Sequence, residues 1–212
     1  MKVFTLSSVL ALTASLAVSV AVASNTAQRD GVFATFEYAY SSGVGEFSDA
    51  SANGYALSVG GSPLSWLDLE LKNEFTTASL EQGSVFDFGE FSDTLNQLEG
   101  SAKAYYGINN NFGLFTRAAV GQAWVSGASD FTYGSIEPGV YYAPFGQSNP
   151  TNISVSYRYR DSFNDNIEFR TNSGLLTGEY AINSRDSVVA GYEYVDGDQS
   201  FNQIRIGYRA RF

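Results

Sequence analysis

The chain has 212 residues, 44% hydrophobic and 15% aromatic, enough apolar surface for one sizeable domain. Acids outnumber bases 22 to 12, and the sequence pI near 4.3 argues against general binding of nucleic-acid phosphates. With no Cys and no His, the sequence excludes disulfide scaffolds, thiolate and imidazole metal sites, thiol nucleophiles and every Ser-His mechanism; neither metal nor cofactor is expected.

The chain opens on a secretory pattern. Lys2 is a short positive start, Val9 to Val20 is apolar but dotted with Thr13, Ser15 and Ser19, and Ala21-Val22-Ala23 precedes Ser24. This layout predicts a signal peptide over 1–23 and a mature chain over 24–212. No later stretch has the apolar length of a spanning helix.

Apolar residues then recur at every second position, the period of a strand. The first run is Val32, Ala34, Phe36, Tyr38 and Tyr40; the second is Tyr55, Leu57 and Val59; the third is Leu67, Leu69 and Leu71, with Asp68, Glu70 and Lys72 between. Ala102 to Ile108 and Leu114 to Val120 give the fourth and fifth, with Arg117 on the opposite face, and Phe131 to Tyr142 the sixth, with Glu137 on its second face. The seventh sets Ile153, Val155, Tyr157 and Tyr159 against Ser154, Ser156, Arg158 and Arg160. The eighth starts at Ile167 and Phe169 and resumes at Leu176, Gly178, Tyr180 and Ile182 in the other phase, so a bulge is expected near Asn172-Ser173-Gly174. Val188 to Tyr194 and Ile204 to Phe212 are the ninth and tenth.

Short turn signals at Ser62-Pro63, Asn109-Asn110-Asn111 and Asn183 to Asp186 alternate with longer polar segments, notably 41–53 and 78–94. Short turns on one side and long loops on the other describe an all-β transmembrane antiparallel barrel of the outer membrane, of about ten strands with twelve as the alternative. Segment 143–152 does not fit, being long on the short-turn side. The rival is a secreted β-sandwich, which would turn a polar face to water. Against it, the second face here mixes Gly, Ser and Ala with single charges, and Tyr38, Tyr40, Tyr55, Tyr157, Tyr159, Tyr192, Tyr194 and Tyr208 sit where interfacial girdles belong. The last run, with Tyr208 and a terminal Phe212, resembles the signal by which the outer-membrane barrel-assembly machinery recognises its clients.

Ser135-Ile136-Glu137-Pro138-Gly139, Ser156 to Arg160, Gly191 to Tyr194 and Ile204 to Tyr208 occur in that order. This series resembles the C-terminal half of the oligogalacturonate-specific porin family, over residues 135–212. The resemblance implies a small barrel, twelve-stranded in that family against ten here, which passes acidic oligosaccharides through a pore lined with basic side chains.

Alternation turns Lys72, Lys103, Arg117, Arg158, Arg160, Arg170, Arg205, Arg209 and Arg211 into the lumen, with Glu37, Asp68, Glu70, Glu137, Glu168, Glu179 and Glu193. These are the pore-lining candidates. Either they pair and plug a narrow barrel, or the arginines form a basic track. Because the first strand brings only Glu37 to the arginine-rich tenth, some arginines are expected to lack partners, which would make the pore anion-preferring. Asp68 and Glu70 share one face and offer acid–base chemistry, but such a pair is more often part of a lumen ion network. Known outer-membrane enzymes resemble one another in using a histidine, so no enzyme is expected. Glu46, Asp49, Glu81, Asp87, Glu90 and Asp93 place acid in the long loops, for solubility or for divalent-cation bridging to lipopolysaccharide. Asn152-Ile153-Ser154 matches a glycosylation sequon by chance. The expected function is a small porin for ions and small hydrophilic solutes, anionic ones among them; the alternative is a plugged barrel whose loops bind a surface partner. Lipid, lipopolysaccharide and the assembly machinery are the other expected partners, and nucleic acid is not one.

Overall fold

The structure, a computed structural model, describes residues 31–44, 50–80, 92–126, 129–163, 169–197 and 200–212. The expected signal peptide, the loop acids Glu46, Asp49, Glu81, Asp87 and Glu90, and Glu168 lie outside the described residues. Ten strands follow in chain order: β1 (Gly31–Gly43), β2 (Ala50–Leu64), β3 (Leu67–Leu80), β4 (Ser92–Gly107), β5 (Phe112–Val125), β6 (Phe131–Tyr142), β7 (Asn152–Ser162), β8 (Arg170–Ala181), β9 (Asp186–Gly197) and β10 (Phe201–Arg211). Each pairs antiparallel with its sequence neighbours, and β1 pairs with β10, so the sheet closes with no free edge. Closure lets every strand satisfy its backbone within the sheet, which a strand in hydrocarbon requires.

One face of every strand carries the apolar set. Val32, Phe36, Leu57, Val59, Leu69, Leu71, Val140, Val155, Leu176, Ile204 and Ile206 are all exposed, Leu57 at 61%. A water-soluble protein would bury them; as a continuous outer band they suit lipid. Towards the loop end of the band, tyrosine hydroxyls reach asparagines on the next strand: Tyr38 to Asn53 (2.5 Å), Tyr192 to Asn202 (2.6 Å), and Tyr157 to Asn172. Such rings, apolar in body and polar at the tip, mark a membrane–water boundary.

Two expectations about strand extent and phase differ from the fold. Strand β3 runs to Leu80 and β4 begins at Ser92, well beyond the apolar runs that signal them. Their outward faces carry Asn73 and Asn96, whose side chains bond each other at 2.8 Å, and this polar pair hides the alternation. In β8 no bulge occurs, for its register with β7 is unbroken from Asn152–Glu179 to Asp161–Arg170. Phe169 simply faces inward, its ring 4.7 Å from that of Phe131 and 6.3 Å from Tyr133.

Inside, aromatic rings lie flat against glycines directly across the ladder. Phe33 faces Gly60, Phe115 faces Gly139, Tyr133 faces Gly121 and Tyr141 faces Gly113. A Cβ on any of these glycines would fall 2.3–2.4 Å from the facing ring. The glycines thus let bulky rings coat the wall instead of filling the bore, the pairing that secures a bare glycine in a strand.

The segment at 143–151 closes over the short-turn mouth. Gly146, at φ +83°, turns the chain between Ala143 and Asn149, which are bridged through 3.1 Å hydrogen bonds to and from Gly146. Asn111 Nδ2 holds the Ala143 carbonyl (2.8 Å), Gln147 Nε2 donates to the carbonyl of Asn109, and Thr151 Oγ1 accepts from the Ala181 amide (3.0 Å). Ala143, Gln147 and Thr151 are buried. This connection is long because it folds inward under the barrel.

Candidate functional site: the barrel lumen

Because the side-chain period of a strand is two, residues i, i+2 and i+4 of neighbouring strands build the lumen in layers. The middle layers carry charge, and the charges sort into two networks. In one, Lys72 Nζ lies 3.4 Å from Glu37 and 3.3 Å from Glu74, while Arg205 holds Glu74 through two bonds of 2.9 Å. Arg205 Nε also donates to Gln203 (2.8 Å), whose amide donates to Ser41 (3.1 Å).

The second network is a chain. Arg160 lies 3.7 Å from Glu99, Arg117 donates to Glu99 at 2.5 Å and lies 4.0 Å from Glu137, and Arg158 donates to Glu137 (2.9 Å) and Glu193 (3.3 Å). Ser156 adds a 2.8 Å bond to Glu137. The first network holds two acids and two bases, the second three and three, so each is neutral. Side chains here are largely withdrawn from solvent, where charge-assisted bonds are strong and a missing partner is costly.

Nearer the short-turn mouth, Arg209 (3.0 Å) and Arg211 both reach Glu179, and Arg211 also donates to Ser187 (2.6 Å). Asp68 accepts from Ser62 (2.6 Å) and Tyr105 (2.9 Å), and Lys103 stands directly opposite Asp68 on β4, 3.9 Å above the Phe115 ring.

Three cavities follow one another along the axis. The central one, about 220 Å³, is lined by both networks together with Glu70, Lys103, Glu179 and Arg209. An outer one of about 300 Å³ adjoins it at Glu74, Arg158, Arg160, Glu193 and Arg205, and has Phe169, Leu95, Val195 and Phe201 in its wall. An inner one of about 160 Å³ adjoins the central cavity at Asn152, Glu179 and Arg209 and is floored by Gln147, Ser148 and Pro150 of the folded-in segment. Among the described residues no group of acidic side chains is arranged to hold a metal ion.

The structure brings Lys72, Lys103, Arg117, Arg158, Arg160, Arg205, Arg209, Arg211, Glu37, Glu70, Glu137 and Glu193 to the inner face. Arg170 is a correction. It points outward, its side chain 68% exposed, and meets Asp161 on the outer face at 3.3 Å. With β8 free of a bulge, its even positions face out, and Arg170 goes with them. The expectation of partnerless arginines is also corrected, since Arg158, Arg160, Arg205, Arg209 and Arg211 each lie within 4.0 Å of a carboxylate. Tyr208 faces outward and bonds Asp186, and Phe212, 80% exposed, donates its amide to Val32 O (2.9 Å) at the seam between β10 and β1.

Glu74 and Glu99, which tie the networks together, are absent from the sequence-derived candidates. Both lie beyond the apolar runs of β3 and β4, but each continues the parity of its strand, so extending the alternation through Asn73 and Asn96 finds them.

This architecture, closed, even-stranded and banded for lipid, is that of an outer-membrane β-barrel. No protein family matches the sequence, and no curated protein does. Solved structures do match the fold. The NanC porin superposes with a TM-score of 0.51 at 12% identity, over 84% of this chain and 100% of that one. The β domain of the Bordetella autotransporter BrkA gives 0.50 at 12% identity, over 87% and 100%. The KdgM porin, solved in complex with disordered oligogalacturonate, gives 0.44 at 8% identity, over 85% and 98%. At these identities the likeness is one of fold.

Proposed function

We propose that the chain is a non-enzymatic outer-membrane channel for passive diffusion of ions and small hydrophilic solutes. The observation that carries this reading is the set of three adjoining cavities along the bore, the central one lined by polar and charged side chains. An eight-stranded barrel is just wide enough for side chains to fill, and ten strands leave the space seen here. The ion-paired middle layers narrow the passage, so small solutes are favoured. With the arginines paired, an excess of positive potential along the bore has no support, and weak ion selectivity is the expectation.

The NanC porin, alike in fold, fits this reading. Export through the 1–23 segment and recognition of the Phe212 end by the assembly machinery belong to the same proposal. Refolded protein in planar bilayers tests it: discrete single-channel steps are expected. A silent, correctly folded barrel would replace it by a plugged structural barrel.

A further inference from the structure

Among the described lumen side chains, the charges balance only if both ends of one cavity are counted. The two networks are each neutral, and Asp68 and Lys103, opposite in charge, face each other on β3 and β4. That leaves Arg209 and Arg211 sharing the single carboxylate of Glu179, one positive charge in excess, and Glu70. Glu70 lines the central cavity and has no hydrogen bond or ion pair among the described residues. One negative and one positive charge therefore lie in the same half of the bore, Glu70 within electrostatic reach of Arg209 but joined to it by no direct ion pair among the described residues.

Register places them opposite each other. Glu70 pairs with Gly60, Gly60 with Phe33, and Phe33 with Arg211, a single row across β3, β2, β1 and β10. At about 4.8 Å per strand the two ends stand roughly 14 Å apart along the curved wall. Between them the Phe33 ring lies on Gly60, and the Arg209 guanidinium stacks over that ring, 4.7 Å from its centroid. Arg209 commits Nε to Thr35 (2.9 Å) and Nη1 to Glu179 (3.0 Å), while its Nη2 has no partner among the described residues. A free guanidinium edge accepts a carboxylate, and an unpaired carboxylate accepts an ammonium.

We propose that Glu70 and the Arg209–Glu179–Arg211 cluster form a subsite for small zwitterions, the solute's ammonium on Glu70, its carboxylate on the open edge of Arg209 and its short aliphatic body spanning the cavity between them. A simple cation or anion compensates one end only, whereas an amino acid compensates both. This rests on the channel reading, since the solute must enter the bore, but its test does not need conduction.

The experiment is calorimetric titration of the refolded barrel in detergent with 4-aminobutanoate, butanoate and n-butylammonium. The zwitterion is expected to bind at least about tenfold more tightly than either singly charged analogue, since one charge-assisted contact is lost in each. Glu70→Gln is expected to reduce 4-aminobutanoate to the affinity of butanoate, and Glu70→Asp, which keeps the charge, to retain part of the preference. Equal affinity for the three compounds, no binding of any, or a preference unchanged in Glu70→Gln would overturn the subsite. The ligand panel on the unmutated protein decides even where a variant does not refold. Binding without conductance would sink the channel reading and leave the subsite standing.

Discussion

Arg205 on β10 and Glu74 on β3 meet through a two-pronged pair, Nη1 to Oε2 and Nη2 to Oε1, each at 2.9 Å. Their strands are not neighbours, for β1 and β2 lie between them in the closed order. The pair therefore braces the barrel across a chord of the bore, and Lys72 draws Glu37 into the same brace. It narrows the lumen and ties three strands together, β1, β3 and β10.

Removing one member of that pair strands the other. Glu74→Gln is expected to cost about 3 kcal/mol of folding stability, the range for breaking a buried pair. The double variant Glu74→Gln/Arg205→Gln should lose less than the sum of the two singles by about 1–3 kcal/mol, as coupled neighbours do. Urea unfolding in lipid vesicles measures all three. Strict additivity would show that the pair does not brace the barrel.

The inside–outside assignment is tested by placing one charge on each face. Leu57, exposed near the middle of β2, should cost about 2–4 kcal/mol when replaced by Arg, as lipid-facing positions at the bilayer midplane do. Thr76→Arg, in the wall of the outer cavity, should cost clearly less. Equal costs would refute the assignment. The unmutated protein should also migrate differently on gels before and after boiling.

How far the sequence discloses this barrel depends on what faces lipid. Where polar residues of the outer face stay near one end of the strand, as Asn53 in β2, Asp161 in β7 and Asn202 in β10, alternation gives strand, phase and lumen set together. Where Asn73 and Asn96 interrupt that face, the apolar alternation stops short of the strand's end, and Glu74 and Glu99 are lost with it. Phe169 misleads in the opposite sense, because an inward ring packed on Phe131 mimics the outward pattern and carries Arg170 to the wrong face. Pairing of the β10 arginines is not legible. It joins β10 to β3 and β8, and the seam to β1, the only contact visible from chain closure, offers only Glu37. The fold of 143–151 has no periodic signal either, since its ties run from Gln147 and Thr151 to backbone groups of other turns.

The ring-on-glycine pairs set the bore width. In Gly121→Ala the new Cβ would lie 2.3 Å from Tyr133 Cζ, so the ring must swing into the lumen beside Arg160. A cost of about 1–3 kcal/mol is expected for such overpacking, together with reduced conductance. Gly121→Ala/Tyr133→Ala should recover the conductance. A full-sized current in Gly121→Ala alone would show that the ring does not limit the passage.

Phe212 separates assembly from stability. Its side chain is exposed and its amide alone ties the end to Val32, so Phe212→Ala should refold in detergent with nearly unchanged stability. Yield in the outer membrane of cells should fall sharply if the terminal ring is read by the assembly machinery. Normal yield would remove that role.

The floor beneath the inner cavity offers a last test, of conductance without selectivity. Gln147 is buried, donates to the carbonyl of Asn109, and fills the space where Gly107 would carry a side chain. Its other amide atom, Oε1, has no partner among the described residues, so its hold on the segment rests on one end of the group. Gln147→Ala removes that hold, the bonds of Nε2 to the Asn109 and Phe112 carbonyls, at a cost of about 1–2 kcal/mol. The charged networks above it are untouched. Single-channel conductance should therefore rise while the reversal potential in a salt gradient stays where it was, because selectivity follows the charges lining the narrow part of the bore. An unchanged conductance would show that the segment does not restrict flow, and a shifted reversal potential would place part of the selectivity at this mouth.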